Sequence, residues 1–396
     1  MALNEVRLAL VSSSLHRAGA EKQTAYIARA LHETGVKVGV FHFGPPGFYE
    51  AELNALGIPF VSLAIQGKPL FTLFRTVAAI RRFRPDFVFG SQFADGLHAG
   101  LAGRLSGALA LVGVRSNGFA ERKRYRKTFW LAQSLAHNLV TNSLAARENL
   151  ISIGVDKAAI KVLPNVIDLE RFDNLTAEPI APFFNHGSFI VTAVGRLHRV
   201  KRFDRVLDAV AQARRSVPNI RCMLVGQDQG ARKDLEVQAA SLGLTPEHVA
   251  FTGECHNVPA LLATSHVLVH CSDHEGFPNV LLEAMATRIP VICTPAGDAG
   301  VLVKNGHTGY LVDFNAVPEM ARRIVEIANS PEIRKSFGEN GRLLVETDYS
   351  FHHLPRRLRS LLEEACRENH RPGILRSIQM LDIAQVNGMK KAPLSL

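Results

Sequence analysis

A chain of 396 residues has room for two domains of ordinary size. With 47% apolar and 21% charged residues it reads as a folded globular protein, not a disordered one. No apolar run reaches the roughly 18 residues of a membrane-spanning helix. The five cysteines show no C-x-x-C spacing and read as buried thiols of a reducing compartment. The N-terminal "MALNEVRLALVSSS" has no basic-then-apolar leader and reads as a first strand, which places the protein in the cytosol. Charge is uneven: residues 1–165 hold 20 Lys+Arg against 10 Asp+Glu, the remainder 26 against 26. The net +10 therefore sits in the first half, and a basic half calls for an anionic partner, either nucleic acid or acidic lipid headgroups.

In chain order, strand 6–13 leads to a helix over 21–35 that ends at Gly35. Strands follow at 36–43 and 58–64, then a basic helix over 70–84 and strand 85–91. Helix 94–105, strand 110–116, helix 122–137, a helix near 145–153 and strand 160–165 complete the half. Residues 166–187 break this rhythm with two prolines and mixed polarity and read as a linker. Alternation resumes with strands at 188–195, 220–226, 249–253, 266–272 and 290–294, separated by helices at 203–216, 231–242, 257–264 and 279–287. Helices near 316–328, 332–344 and 350–369 end the pattern. Strands alternating with helices give an α/β protein with two doubly wound, Rossmann-like domains, 1–165 and 188–370, facing one another. The last helix is placed in the second domain or packed back on the first, and 371–396 reads as an irregular tail.

Three stretches carry chemistry. In "HEGFPNVLLEAM" (274–285) Glu275 and Glu283 stand eight apart around Gly276, Phe277, Pro278 and Asn279. Glu275 falls in the loop at the carboxyl end of a strand, where open parallel sheets bind ligands. Pro278 favours a helix start, and the free amides there, from Gly276 to Val280, form an anion site. Glu283, one turn into that helix among apolar neighbours, needs a partner, and a carboxylate beside a polyol accepts two hydroxyls. In "VGRLHRVKRFD" (194–204) Arg196 and Lys201 lie five apart after the opening strand of the second half, a fork and a point charge for phosphate oxygens. In "HRAGAEKQ" (16–23) Gly19 and Ala20 open the first helix and offer close backbone approach. Neither a G-x-G-x-x-G fingerprint nor a G-x-x-x-x-G-K-[ST] loop is present, which counts against a dinucleotide enzyme.

Together these residues resemble the retaining glycosyltransferases of family 4, of GT-B type, over roughly residues 5–368. The most specific part is the E-x7-E element, Glu275 to Glu283, preceded in the right order by Arg196 and Lys201. The resemblance implies that the C-terminal half binds a UDP- or GDP-linked sugar and the N-terminal half the acceptor. It implies that Arg196 and Lys201 hold the diphosphate, that Glu275 positions the donor sugar, and that Glu283 is satisfied by ribose hydroxyls and not by a protein partner. The amides of Gly276, Phe277, Asn279 and Val280 would meet sugar and phosphate. No D-x-D metal motif is evident, so charge neutralisation needs no metal and no cofactor is expected. The chain departs from the family pattern on the acceptor side: Ala18 stands where the first loop usually has glycine. Ser91 and Gln92 follow the strand where many members carry histidine, with His98 nearby, and Val301 stands where many have glutamate. The same architecture also serves nucleotide-sugar 2-epimerases, inverting transferases and non-catalytic sugar-nucleotide binders; the intact donor set favours a transferase. The basic first half and helix 122–137, with Arg122, Lys123, Arg124, Arg126 and Lys127 before Phe129, Trp130 and Leu131, point to a lipid-linked or envelope glycan acceptor and to peripheral attachment at the inner face of the cell membrane. Nothing beyond charge supports nucleic acid.

Overall fold

The computed structural model describes residues 5–63, 69–115, 123–174, 187–255 and 257–381. The chain divides into two compact units, Met1–Val166 with Phe351–Leu396, and Ile167–Ser350.

Unit 1 runs β1 (Arg7–Ser12), α1 (Gly19–Glu33), β2 (Lys37–His42), α2 (Phe48–Ala55), β3 (Phe60–Ser62), α3 (Pro69–Phe83), β4 (Phe87–Gly90), α4 (Gly96–Ser106), β5 (Leu109–Val114), α5 (Lys123–Leu135), β6 (Asn138–Thr141), α6 (Leu144–Ser152) and β7 (Ile160–Val162). Its seven strands are parallel in the order β3-β2-β1-β4-β5-β6-β7, with Leu8 opposite both Val38 and Phe87. From β1 the chain winds outward to β3, then crosses to β4 and winds the other way. Right-handed crossovers therefore put α1 and α2 on one face and α3 to α6 on the other. β4 and β5 are buried along their whole length, which explains their unbroken apolar sequence. Alternate residues of β1 serve the two faces. Leu8 and Leu10 join the core under α1 and α2, while Ala9 and Val11 pack with Val77, Ile80, Ala99 and Ala102 of α3 and α4.

Unit 2 runs α7 (Leu169–Asp173), β8 (Phe189–Val194), α8 (Phe203–Arg214), β9 (Ile220–Val225), α9 (Arg232–Ser241), β10 (Val249–Gly253), α10 (Val258–Leu262), β11 (Val267–His270), α11 (Asn279–Ala286), β12 (Val291–Cys293), α12 (Ala299–Leu302), β13 (Gly309–Leu311), α13 (Val317–Asn329) and α14 (Pro331–Leu344). Its six parallel strands stand in the order β10-β9-β8-β11-β12-β13. α15 (Leu354–Glu368) and α16 (Pro372–Gln379) then return to unit 1.

Of the two placements left open for the last helix, it takes the one on unit 1, and two other expectations change. The second unit ends at Ser350, because α15 places Leu354, Leu358, Leu361, Leu362 and Ala365 on one stripe that packs in the unit 1 core. Tyr26 of α1 meets Phe351 edge to face at 5.6 Å, and the Arg29 guanidinium lies 4.2 Å over the same ring. The tail expected to be irregular contains α16, whose Ile378 is fully buried against that core. The start of the supposed linker is structured too: Ile167 joins a unit 2 core, and Asp173 pairs with Arg342 at 2.7 Å. The short β13 and α2 are elements the periodicity did not reveal, since three residues and two turns are too little for a period to show.

Candidate functional site

In unit 2 the chain winds one way from β8 through β9 to β10 and restarts on the other side of β8 with β11. The carboxyl ends of β8 and β11 are thus the switch point of the sheet, where strand loops diverge and leave a crevice. The two stretches singled out in the sequence leave from these two ends: Gly195 to Lys201 follows β8, and Cys271 to Pro278 follows β11. The loops are tied together, since the Asp273 amide donates to the Val200 carbonyl at 2.9 Å. Arg202 and Arg205 both reach the Asp273 carboxylate, at 3.2 and 2.6 Å. A side chain at Gly226 would lie 2.0 Å from the Gly195 carbonyl, so the backbone before Arg196 sits directly against the end of β9.

Glu275 is the centre of this region. Its Oε1 lies 2.5 Å from Lys201 Nζ, 2.6 Å from Ser272 Oγ and 3.1 Å from His270 Nε2. The His270 approach is close but not aligned as a hydrogen bond. Burial pushes the Glu275 carboxyl up. The close approach of the His270 ring, and the hydrogen bond and charge of Lys201, more than reverse this, leaving it well below the usual carboxylate range. Glu275 is therefore an acceptor of hydrogen bonds and not a proton donor. Lys201, read from the sequence as a point charge for phosphate, already neutralises a carboxylate. Arg196 is exposed, and its side chain has no ion pair or hydrogen bond among the described residues.

Beyond Glu275 the loop is held from below. The Asp298 amide donates to the Gly276 carbonyl at 3.1 Å, and Gly297, at φ +58°, comes so close that a side chain there would strike that carbonyl at 2.4 Å. The Phe277 side chain is buried and packs on Tyr349 with ring centres 5.9 Å apart, so only its backbone serves the loop. Pro278 is the residue before the helix, and α11 opens at Asn279 and Val280. Glu283 lies half-buried one turn in, between buried Leu282 and Ala284. It has an interaction of its own within the chain.

Unit 1 has its own switch point, between β1 and β4. Gly19 and Ala20 open α1 there with ordinary helical backbone; Gly19 is exposed and lacks a positive φ. Ser91 is fully buried, its Oγ 3.1 Å from Asp95 Oδ2 and 3.4 Å from Ser12 Oγ. His98 packs against Phe43 with ring centres 4.4 Å apart, and burial lowers its pKa. Sequence reasoning missed most of this edge. Gln92 Nε2 donates to Glu21 Oε1 at 3.3 Å, which also accepts from Ser14 Oγ at 2.8 Å. The Gln92 amide donates to Asp95 Oδ2 at 2.9 Å. Arg115 spans from the Ser91 carbonyl at 2.6 Å to Asn165 Oδ1 at 3.0 Å. Burial raises the Asp95 carboxyl to about 7, against the lowering pull of Ser91 and the Gln92 amide, and Glu21 adds to the rise. In unit 2 the omissions were His270 and Ser272. Their signal was two polar side chains closing an otherwise apolar strand, "HVLVHCS".

Two Rossmann-like units of parallel strands, one with a carboxylate, a lysine, an arginine and a helix start at its switch point, define a glycosyltransferase of GT-B architecture. Residues 177–344 match the family model for glycosyl transferases group 1, and residues 17–171 that for glycosyltransferase family 4. The two matches together run over most of the chain, and it belongs to this family. A capsular polysaccharide biosynthesis glycosyltransferase, CapM of Staphylococcus aureus, is 26% identical over 56% of this chain and 57% of its own length. An Escherichia coli UDP-Gal:alpha-D-GlcNAc-diphosphoundecaprenol alpha-1,3-galactosyltransferase is 26% identical over 68% of this chain and 72% of its own. A putative glycosyltransferase of Bacillus subtilis, EpsD, is matched over only 47% of its length, so the chain spans about half the length of several relatives. Among solved structures, Anabaena HepE in complex with UDP and glucose superposes with a TM-score of 0.78 at 20% identity, over 90% of this chain and 99% of that one. WaaG, involved in lipopolysaccharide biosynthesis, superposes at 0.68 with 16% identity, over 89% and 98%. Among the described residues no helix is long and apolar enough to cross a membrane.

Proposed function

We propose that this chain is a retaining glycosyltransferase of cell-envelope polysaccharide assembly. It moves a hexose or N-acetylhexosamine from a UDP- or GDP-sugar to a lipid-linked or lipopolysaccharide-type glycan at the cytoplasmic face of the membrane. The observation that carries the donor site is the Lys201–Glu275 pair at the unit 2 switch point, with exposed Arg196 and the start of α11 beside it. Arg196 forks onto the diphosphate, Lys201 bridges diphosphate and Glu275, and the amides at the start of α11 add partial positive charge. These groups meet the charge that grows on the leaving phosphate as the C1–O bond breaks. The acceptor oxygen bonds C1 from the same face, and its proton passes to the departing phosphate oxygen. Glu275, held ionised, accepts hydrogen bonds from donor-sugar hydroxyls and orients the ring; Glu283 accepts from the ribose diol. The charge on the sugar nucleotide is met by protein groups, without a metal. The capsular, undecaprenol-linked and lipopolysaccharide relatives support the envelope setting, as does the basic excess of the acceptor unit.

The test is a thermal-shift screen of UDP-, GDP- and ADP-sugars, followed by product analysis with the stabilising donor on acceptors with and without a lipid diphosphate. Retained anomeric configuration and preference for the lipid-linked acceptor support the reading. An inverted product, or no donor that stabilises the protein, removes it.

A further inference from the structure

α3 is built inside out at its N-terminal end. Thr72 and Thr76 are buried, with Thr76 Oγ1 satisfied by the Thr72 carbonyl at 2.7 Å, while Leu70, Phe71 and Phe74 are 82, 54 and 69% exposed. Folding alone favours the opposite choice, apolar groups inward and hydroxyls outward. The two phenyl rings lie near one another, 6.4 Å between centres, and make a patch instead of scattered single residues. On the same face of the sheet, beyond α4, α5 buries Phe129 and leaves Trp130 and Leu131 exposed. In unit 2 the exposed large apolar residues Val237, Leu242, Phe314 and Leu343 form no such cluster on one helix turn.

The surroundings are cationic. Arg75, Arg81 and Arg82 of α3 and Lys127 of α5 are exposed, and none has an acidic partner among the described residues. The basic run Arg122 to Arg126 lies outside the described side chains. Counted by unit, unit 1 holds 28 Lys+Arg against 14 Asp+Glu, and unit 2 holds 18 against 22. Assigning α15, α16 and the last residues to unit 1 widens the asymmetry seen in the sequence to +14 against −4. In a parallel sheet, helices start at the carboxyl ends of the strands, so Leu70, Phe71 and Phe74 stand at the edge that carries Ser91 and Gln92.

We propose that the N-terminal turn and a half of α3 is a membrane-entering element. Leu70, Phe71 and Phe74 enter the interface of an anionic bilayer, Arg75 and Lys127 lie at headgroup level, and Trp130 and Leu131 of α5 form a second contact. Aromatic side chains flanked by unpaired cations suit this occupant better than a neutral protein surface, because the bilayer answers both the apolar and the charged part of the face. The inference rests on the reading of the acceptor as lipid-linked: it sets the acceptor edge of unit 1 at the bilayer surface, within reach of a headgroup-bound saccharide.

The experiment uses vesicles and no sugar substrate, so it stands apart from the test of catalysis. The full chain is sedimented with phosphatidylcholine vesicles, with and without 30% phosphatidylglycerol, at low and high salt. Wild type is expected to bind the anionic vesicles and to be released by salt. F71S/F74S is expected to bind at least tenfold more weakly while its thermal shift with UDP is unchanged, because both rings are on the surface. Trp130 is the one tryptophan of the chain, so W130F/F74W moves the sole indole to α3, where brominated acyl chains should quench it. Wild-type affinity in F71S/F74S, an unquenched indole at position 74, or no binding by wild type would each overturn the proposal. So would a change of oligomeric state in F71S/F74S with vesicle binding intact, which assigns the face to a second copy. Vesicle binding without turnover on any lipid-linked acceptor would leave this surface standing and remove the acceptor reading.

Discussion

The two units are built on one plan and use their sheet edges differently. At the unit 2 switch point the paired side chains are matched in charge: Lys201 with Glu275, Arg202 with Asp204 and Asp273, Arg205 with Asp273. At the unit 1 switch point the groups are buried and mostly uncharged donors and acceptors around Asp95, whose Oδ1 has no hydrogen-bond partner among the described residues. The excess charge of unit 1 is on its exterior instead. A site for a dianionic leaving group needs fixed, preorganised cations that do not repel one another when it is empty, and carboxylates among them serve that purpose. An edge that receives sugar hydroxyls needs directional hydrogen bonds, and a net positive exterior adds attraction to an anionic surface without occupying the site.

Breaking the Lys201–Glu275 pair should have the largest effect. K201A leaves a mostly buried carboxylate without its cation. Turnover should fall at least about 100-fold, and stability should drop by about 2–3 kcal/mol, below the range for fully buried pairs because both side chains keep some exposure. Because the Glu275 pKa is depressed on folding, its stabilisation is present above its unfolded pKa of about 4.3. It is lost only as pH falls toward the folded value, so wild type should keep this contribution from neutral pH down to about 5. Denaturant titration at pH 5 and 7 checks both statements; a K201A protein as stable as wild type would remove the pair from the account.

R196A should separate charge stabilisation from folding. Arg196 is exposed and unpaired among the described residues, so Tm should move by no more than about 1 °C. The kcat should still fall about 100-fold, about 2.7 kcal/mol of transition-state stabilisation. Full activity would remove the diphosphate assignment. E283Q should be milder, raising the donor dissociation constant about tenfold, about 1.4 kcal/mol, with kcat nearly unchanged; calorimetry with the free nucleotide measures this.

A pH effect on stability sharpens the unit 1 side. Asp95 has a pKa raised to about 7 by burial, so the folded state binds a proton that the unfolded state has released between pH 4 and 7. Stability should therefore decline as pH rises through that window and level off above it. D95N keeps an oxygen for the Gln92 amide and should flatten this slope, leaving the variant relatively more stable at pH 8 than at pH 5. Parallel slopes for the two proteins would show that Asp95 does not titrate there.

What the chain by itself determined is local. Alternating strand and helix periods, the Gly-Phe-Pro-Asn helix start and the eight-residue spacing of Glu275 and Glu283 are all written within a dozen residues, and each survives as α/β alternation or as α11 and its preceding loop. Tertiary structure decided the pairings and the orientations. Lys201 and Glu275 are 74 positions apart, and only the strand order, with β11 beside β8, brings them together. Gln92 reaches Glu21, and Arg115 reaches the Ser91 carbonyl, because β1, β4 and β5 are neighbours. A period of 3.6 marks α15 as amphipathic but does not say which core its stripe enters; the sockets beside Tyr26 and Arg29 settled that. The same limit governs α3, whose phenylalanines fit a buried face by composition. They stand outward because the space over β1 and β4 is filled by Val77, Ile80 and the small residues Ala99 and Ala102 of α4, and packing volume is a property of the assembled layers and not of any one segment.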